Sequence, residues 1–149
     1  MMKVAGCPLC EGAGGIVIYS GPKFRVIRAD EPGFPAFYRV VWLDHVTEFS
    51  DLPRGERLEC IEAAVQVEAV LREHLSPVKV NLATLGNAVP HLHWHVIARF
   101  AWDTHFPGSV WAPAQREAPA DAIAAIEALR PALEIELSRR FTSRPGNRA

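Results

Sequence analysis

The chain has 149 residues, of which 49% are hydrophobic and 22% are charged, as in one ordinary globular domain. Its formal net charge of −1 argues against a general polyanion binder, so we expect no specific nucleic-acid partner. No apolar run approaches the roughly 18 residues of a transmembrane helix, and the start MMKVAGCPLC lacks a signal peptide. We therefore expect a cytoplasmic protein with no membrane partner.

The first third of the chain predicts three strands. IVIYS and FRVIRA are short β-type runs separated by Gly21-Pro22, which predicts a hairpin. DEPGFP, residues 30–35, is a loop rich in Pro and Gly. The run AFYRVVWL after it predicts a third strand.

A long amphipathic helix is predicted from about Arg54 to Leu75, because apolar residues recur there at steps of three and four. Pro77 helps to end it. Cys60 within this helix is expected to be a packed apolar residue, and His74 near its end a helix-end residue. The apolar positions are Ile61, Ala64, Val67, Leu71 and Leu75.

The second half of the chain predicts two more strands and a second helix. VKVNLATL, residues 78–85, predicts the fourth strand, Gly86-Asn87 a turn, and HLHWHVIARF the fifth. Residues 119–141 predict a helix that is broken or kinked at Pro131. Residues 142–149 are expected to form a flexible tail.

These elements predict an α+β fold built on a mainly antiparallel five-stranded sheet. One long helix lies between strands 3 and 4, and another helix follows the sheet at the C-terminus. No repeat or linker divides the chain, so we expect one domain over residues 1–149 with a core of about residues 7–112.

Half of the six histidines lie in the fifth predicted strand, at His91, His93 and His95. Side chains alternate between the two faces of a strand, so these three imidazoles share one face. At about 3.3 Å per residue the outer two Cα atoms lie about 13 Å apart, so one metal ion is not expected to bind all three rings. Because neutral imidazole is a nucleophile and a base near pH 7, the spacing favours attack on phosphorus over purely structural histidines.

The stretch GNAVPHLHWHVIAR resembles the signature of the histidine triad (HIT) family, His-φ-His-φ-His-φ-φ, where φ is apolar. Residues from His91 to Ile97 match every position, and the element order over about residues 7–100 is also similar. The resemblance implies a HIT-like fold. It also implies an enzyme that hydrolyses or transfers nucleotidyl groups from phosphoramidates, dinucleoside polyphosphates or nucleotide sugars. His93 would form the nucleotidyl-histidine intermediate, and His95 would bind phosphate and assist the leaving group.

The resemblance further implies three substrate-binding residues. Asn81 lies near a family position that contacts ribose or phosphate, and Asn87 falls where many members have Gln. Asp30 resembles the carboxylate that accepts hydrogen bonds from ribose hydroxyls. An Asp in a Pro/Gly loop is also a common turn former, and Asn87 also fits a turn residue, so both roles stay open for these two residues.

Two positions depart from the family pattern. Phe37 stands where members often have a histidine that hydrogen-bonds the nucleophile, and Ala88 stands where a Ser or Thr often donates to phosphate. Backbone N–H groups of residues 86–89 remain able to bind phosphate. The group that orients His93 is therefore not evident from the sequence.

Cys7 and Cys10 form a C-x-x-C pair, and the odd total of three cysteines argues against a disulfide framework. By itself the pair fits a zinc half-site, a redox pair or coincidence, and its place before the Gly-rich EGAGG disfavours the redox role. Similarity to some bacterial HIT proteins and to the related uridylyltransferases implies a structural zinc site formed by Cys7, Cys10, His45 and His91.

Two functions from different classes follow. The leading hypothesis is a nucleotide hydrolase or nucleotidyl transferase that works through His93. The alternative, motivated by Phe37 and Ala88, is a nucleotide-binding module with a structural zinc and weak catalysis. A small-molecule nucleotide is the partner in both, and a homodimer is compatible with either. His105 and Trp111 lie in an irregular segment after the fifth strand. His105 is expected to be a surface residue rather than a catalyst, and entry into the substrate mouth stays open for both residues.

Overall fold

The protein is described by a computed structural model over residues 1–144. Of the predicted flexible tail, Thr142 is the last residue of a helix, and residues 145–149 lie outside the described residues. The elements are α1 (Pro8–Glu11), β1 (Ile16–Ser20), β2 (Phe24–Arg28), β3 (Phe37–Trp42), α2 (Arg54–Leu75), β4 (Lys79–Ala83), β5 (His93–Arg99) and α3 (Ala120–Thr142).

The five strands form one sheet in the order β1-β2-β3-β5-β4, and every neighbouring pair is antiparallel. Strands β3 and β4 therefore run in the same direction on either side of β5, and α2 makes the crossover between them. Strand β5 is hydrogen-bonded on both sides. The histidines at its start are consequently held by the interior of the sheet rather than by an exposed edge.

The two faces of the sheet are covered by different parts of the chain. Val96 and Ala98 of β5 point into the main core, which includes buried residues of both long helices, such as Val67 of α2 and Leu137 of α3. Burying one such side chain stabilises the fold by about 1.5–3 kcal/mol. The opposite face, which carries the histidines, is covered by α1, by the loop before β3 and by the loops on either side of β5. This second face holds the candidate site.

The predicted α+β class, five-stranded antiparallel sheet, helix between β3 and β4, and C-terminal helix are all confirmed. Two strands are shorter than predicted. Strand β4 covers Lys79–Ala83 instead of residues 78–85, and β5 begins at His93 instead of residue 91. Helix α1 was not predicted, because four residues are too few to show a periodic pattern.

The sequence predicted a helix that is broken or kinked at Pro131; helix α3 is continuous through this residue, so it is not broken there. Proline removes one backbone hydrogen bond and crowds the preceding turn. Ile126 before it and Leu133 and Leu137 after it are buried, so both halves of the helix pack against the core. No helix within residues 1–144 is both long and apolar enough to cross a membrane.

Cys60 is fully buried in α2, as expected of a packed apolar residue. Burial raises the pKa of its thiol to about 12. The thiol therefore stays protonated near neutral pH, and because the thiolate is the reactive form, Cys60 is chemically inert in the folded protein.

Candidate active site and metal cluster

His93 and His95, at the start of β5, form a buried pair. The two residues are 8% and 6% exposed, and their ring centroids lie 4.9 Å apart. Strand alternation places both rings on the face opposite α2, where they line a cavity of about 570 Å³. Two imidazoles therefore face one space that is large enough for a small-molecule ligand.

A backbone carbonyl orients the ring of His93. Its Nδ1 lies 2.6 Å from the carbonyl oxygen of His91. A carbonyl only accepts, so Nδ1 carries the proton and Nε2 keeps a free lone pair in the neutral ring. Burial lowers the pKa of His93 and favours this neutral form, although the bond to His91 partly offsets the shift. The residue thus has the tautomer that a nucleophilic imidazole needs.

Phe37, where the family pattern led us to expect a helper histidine, lies beside the other imidazole. Its ring meets His95 edge-on, with 5.6 Å between the centroids and 89° between the planes. In the sheet register Phe37 is opposite Ile97, whereas Val41 is opposite His93. The orientation of His93 therefore does not depend on position 37.

Arg39 is a cavity residue that sequence reasoning missed. It lies opposite His95 in the sheet register, and its Nε–H donates to Nδ1 of His95 over 3.3 Å. Burial, followed by the neighbouring His93 and Arg39, lowers the pKa of His95 to about 4. The available signal was a charged residue within the otherwise apolar strand AFYRVVWL.

The turn after β4 brings free amides to the cavity. Gly86 has φ of +76°, in the left-handed region that glycine adopts at little cost. Asn87, Ala88 and Val89 line the cavity, and within residues 1–144 their amides donate no hydrogen bond to the protein. Consecutive free amides of this kind are groups that can bind phosphate oxygens.

Four predicted metal ligands meet at one point beside the cavity. The ligand atoms of Cys7, Cys10, His45 and His91 all lie within 4.8 Å of one another. Nδ1 of His91 lies 3.4 Å from Sγ of Cys7 and 3.5 Å from Sγ of Cys10, and Nδ1 of His45 lies 3.4 Å from Sγ of Cys10. A tetrahedral zinc with ordinary bond lengths separates sulfur and nitrogen ligands by about 3.5 Å. The donor set and its spacing therefore fit a metal ion.

His91 is prepared for this role by a second contact. Its Nε2 lies 2.6 Å from the carbonyl oxygen of Trp42, so Nε2 carries the proton and Nδ1 is free to bind a metal. The residue is fully buried, and burial lowers its pKa, which favours the neutral ring. The carbonyl acts as the outer partner that fixes the orientation of a metal-binding imidazole.

Arg25 of β2 holds the cysteine loop in place. Its guanidinium donates to the carbonyl oxygens of Leu9, Gly12 and Ala13 over 2.8, 3.0 and 2.9 Å. These bonds tie α1 and the residues after it to the sheet. The cysteines are thereby positioned by the sheet as well as by any metal they bind.

The HIT domain profile matches residues 13–102, which is more than half of the chain. The chain belongs to the HIT family. The matched range contains His45 and all of β3, α2, β4 and β5. The two cysteines of the metal cluster precede this matched range, so the cluster joins the HIT domain to the segment before it.

Solved structures show how this HIT protein compares with others. A histidine triad protein of Bradyrhizobium japonicum is 28% identical at a TM-score of 0.67, over 88% of this chain and 98% of that one. A Zn-bound histidine triad family protein of Mycobacterium smegmatis is 20% identical at a TM-score of 0.57, over 88% of this chain and 97% of that one. The diadenosine triphosphate hydrolase of Plasmodium falciparum, solved in complex with cyclomarin A, is 14% identical at a TM-score of 0.56, over 85% of this chain and 78% of that one. The last two likenesses show a shared fold. The comparison with curated proteins finds no match.

Two of the substrate-binding residues implied for a HIT protein lie away from the histidine cavity. The side chain of Asp30 is 75% exposed, and its Oδ1 lies 3.8 Å from Nε of Arg28. Asn81 accepts a hydrogen bond from Nη1 of Arg99 over 2.9 Å. Neither residue lines the cavity, whereas Asn87 does. The structure thus joins Asn87 with the histidine pair, and the roles of all three residues stay predictions.

A buried ion pair organises the irregular segment of this HIT protein after β5. Arg99 donates from Nε and Nη2 to the carboxylate of Asp103 over 2.8 and 3.0 Å, and both side chains are 2% exposed. The same carboxylate accepts from the amides of Phe100, His105 and Phe106. Burial by itself would raise the pKa of Asp103, but the hydrogen bonds from Arg99, Phe100 and His105 hold it below its usual value.

This segment carries Trp111 to the cavity but not His105. The ring of Trp111 is 5.1 Å from that of His95, and the residue is 52% exposed at the rim. His105 instead lies 5.2 Å from the ring of Phe34, and its Nδ1 is 2.6 Å from the hydroxyl of Thr104. Trp111 is therefore the aromatic residue that the cavity gains from this segment.

Proposed function

We propose that this HIT protein hydrolyses or transfers nucleotidyl groups by attack of His93 on the α-phosphorus of a nucleotide. One observation carries the proposal: Nδ1 of His93 is bonded to the carbonyl of His91, so Nε2 keeps its lone pair inside a ligand-sized cavity. The substrate class is that of nucleotide phosphoramidates and dinucleoside polyphosphates.

The reaction has two steps that mirror each other. In the first, the Nε2 lone pair of His93 forms a bond to phosphorus, and the bond from phosphorus to the leaving group breaks. The ring becomes positively charged, and its Nδ1–H remains bonded to the carbonyl of His91. In the second, water or another acceptor attacks phosphorus and loses its proton to solvent, while the N–P bond breaks and its electron pair returns to Nε2 of His93. The intermediate divides one difficult displacement into two easier ones.

The surroundings of the cavity supply the binding groups in this proposal. The amides of residues 87–89 bind phosphate oxygens, the side chain of Asn87 adds a donor, and His95 contacts the oxygens near the leaving group. Asp30 and Asn81 do not line the cavity, and their assignment to the ribose hydroxyls and to the ribose or phosphate rests on the family resemblance alone. A fold shared with a diadenosine triphosphate hydrolase supports the substrate class.

Zinc is the metal that we assign to the cluster of Cys7, Cys10, His45 and His91. Two thiolates and two imidazoles suit zinc, and four protein ligands leave no open position, as in structural zinc sites. The fold shared with a Zn-bound histidine triad protein supports this assignment. The role of the metal is to fix the start of β5, and it takes no part in the reaction.

A catalytically weak nucleotide-binding module is the second candidate, because Phe37 and Ala88 replace groups that assist catalysis in the family pattern. Two contacts weigh against it: the carbonyl of His91 orients His93, and free amides stand beside Ala88. The cytoplasmic location and the homodimer expected from the sequence stay predictions.

The decisive experiment is to trap the nucleotidyl adduct. Purified protein is mixed with diadenosine triphosphate or adenosine 5′-phosphoramidate and quenched in alkali, and the adduct is located by mass spectrometry. We expect one nucleotidyl group on His93 and none in His93→Asn. His74→Asn, in the half-buried end of α2, is the matched control and retains the adduct. No adduct and no turnover with either substrate would leave the binding module as the function.

A further inference from the structure

Arg39 supplies the permanent positive charge of the cavity. Among the described residues that line the cavity, it is the one whose side chain is charged at every physiological pH. Its side chain is 22% exposed, and its guanidinium lies 5.3 Å from the ring centroid of Phe37. Nη2 lies 3.6 Å from the carboxylate of Glu31. The charge is therefore held beside the histidine pair by contacts on two sides.

The hydrogen bond from Arg39 decides which nitrogen of His95 carries a proton. Arginine Nε–H only donates, so Nδ1 of His95, 3.3 Å away, accepts. A neutral imidazole with an accepting Nδ1 carries its proton on Nε2. His95 thus presents an N–H donor, whereas His93 presents a lone pair. The two rings of the pair are held in opposite tautomers.

The groups that face His95 disfavour its protonation. A proton on Nδ1 would point at the Nε–H of Arg39, and the new charge would lie between that guanidinium and the ring of His93. The carboxylate on this side, Glu31, is 46% exposed and faces Arg39 rather than His95. The lowered pKa of His95, about 4, agrees with this geometry.

A neutral His95 limits which bonds the site breaks readily. When a phosphoanhydride is attacked, the P–O bond breaks and its electron pair leaves on a phosphate oxygen, which is stable as an anion. When a phosphoramidate is attacked, the P–N bond breaks and the nitrogen needs a proton to leave as an amine. Neutral imidazole is a poor source of that proton, since imidazolate would result.

We propose that Arg39 is a positioning residue that keeps His95 a neutral hydrogen-bond donor, and that the site therefore prefers nucleotidyl phosphoanhydrides over phosphoramidates. The Nε2–H of His95 donates to the oxygen of the departing phosphate, and the guanidinium of Arg39 stabilises its negative charge. The preference rests on the proposed attack by His93. Of the two kinds of bond in the proposed substrate class, the proposal names the phosphoanhydride as the favoured one.

Competing substrates test the preference. We expect kcat/KM of the native protein for diadenosine triphosphate to exceed that for adenosine 5′-phosphoramidate by at least about tenfold. Arg39→Gln should lower the anhydride rate by at least about tenfold and the phosphoramidate rate much less, so that the preference collapses. Arg39→Lys keeps the charge and should recover part of the anhydride rate. Arg139→Gln, whose side chain is 64% exposed on α3, should change neither rate.

Nitrogen NMR of the imidazoles tests the assigned tautomer without any turnover. We expect His95 to stay neutral, with its proton on Nε2, from pH 7 to below pH 5 in the native protein. In Arg39→Gln its titration should move upward, towards the ordinary histidine pKa of about 6.5. Glu31→Gln, which leaves the bond from Arg39 to His95 intact, should not change the tautomer.

Four outcomes would overturn the proposal. A phosphoramidate preference in a protein that forms the His93 adduct would refute it while sparing the proposed function. Equal losses of both rates in Arg39→Gln would reduce Arg39 to a structural residue. An imidazolium at His95 near pH 6 would refute the tautomer. Absence of any His93 adduct would remove the proposed function and, with it, the substrate preference.

Discussion

His91 serves two sites through two different groups. Its ring faces the sulfurs of Cys7 and Cys10, while its carbonyl oxygen accepts the Nδ1–H of His93. A ligand that holds the ring of His91 therefore also holds the acceptor that orients the nucleophile. In the proposed reaction, the first histidine of the triad would thus act through its backbone carbonyl.

Removal of one thiol should release the metal. Cys10→Ser replaces a soft sulfur ligand in a four-ligand cluster, and we expect the zinc content measured by elemental analysis to fall from about one per chain to well below one. Cys60→Ser is the matched control, because Cys60 lies in the core away from the cluster and should retain the metal. Equal zinc content in native protein and Cys10→Ser would show that these four residues do not hold the ion.

Acid should destabilise the fold partly through His95. The unfolded chain takes up a proton at a pKa of about 6.5, whereas the folded protein takes one up only near 4. Between these values the unfolded state binds more protons, so the free energy of unfolding falls as pH decreases from about 6.5 to about 4. Urea titrations at several pH values should show a shallower decline in His95→Gln than in the native protein.

The buried pair of Arg99 and Asp103 should be costly to break. Asp103→Asn leaves the guanidinium of Arg99 buried without its counter-charge, and such losses amount to about 3–5 kcal/mol. We expect a drop of that order in the free energy of unfolding, measured with urea. Lys23→Gln, which breaks an exposed ion pair with Glu56, should have a far smaller effect. Similar losses in the two variants would contradict the structural role of the buried pair.

Periodic elements could be predicted from the sequence, and contacts between elements could not. Alternation around His93 and His95 predicted their shared face, and steps of three and four predicted α2, because these patterns follow from local geometry. The place of Arg39 in the cavity was not predicted, because it depends on the strand register that puts Arg39 opposite His95. The grouping of four metal ligands into one site was predicted from the family resemblance and not from local patterns, because residues 7 and 91 come together only in the folded protein.

Helix α3 contains a site where stability is expected to increase. Pro131 is exposed within the helix and lacks the N–H that would bond the preceding turn. Pro131→Ala should restore that bond and raise the free energy of unfolding, by up to about 3 kcal/mol. Ala132→Pro, at the next position of the same helix, should lower it. An unchanged free energy of unfolding in Pro131→Ala would contradict this expectation. It would mean that packing around Leu133 and Leu137 already compensates for the missing backbone hydrogen bond.

At the scale of the molecule, the metal cluster and the cavity share a wall. Pro8 and Leu9 lie between the two cysteines in the sequence and line the cavity that contains His93. Chelation should therefore lower the melting temperature and also raise KM for the nucleotide, because the wall and the carbonyl of His91 lose their support. Added zinc should restore both values. A chelated protein with unchanged melting temperature and KM would show that the cluster and the cavity are independent.

The long reach of the cluster also bears on how the chain is made. Cys7 and His91 are separated by 84 positions, and β5, which begins two residues after His91, is inserted between two strands made earlier. During synthesis Cys7, Cys10 and His45 all emerge before His91, so the set of four ligands is complete only when β5 begins to be made. Contacts between residues this far apart in the sequence are slow to form. Binding of a metal by all four ligands should consequently follow the docking of this part of the chain rather than initiate folding.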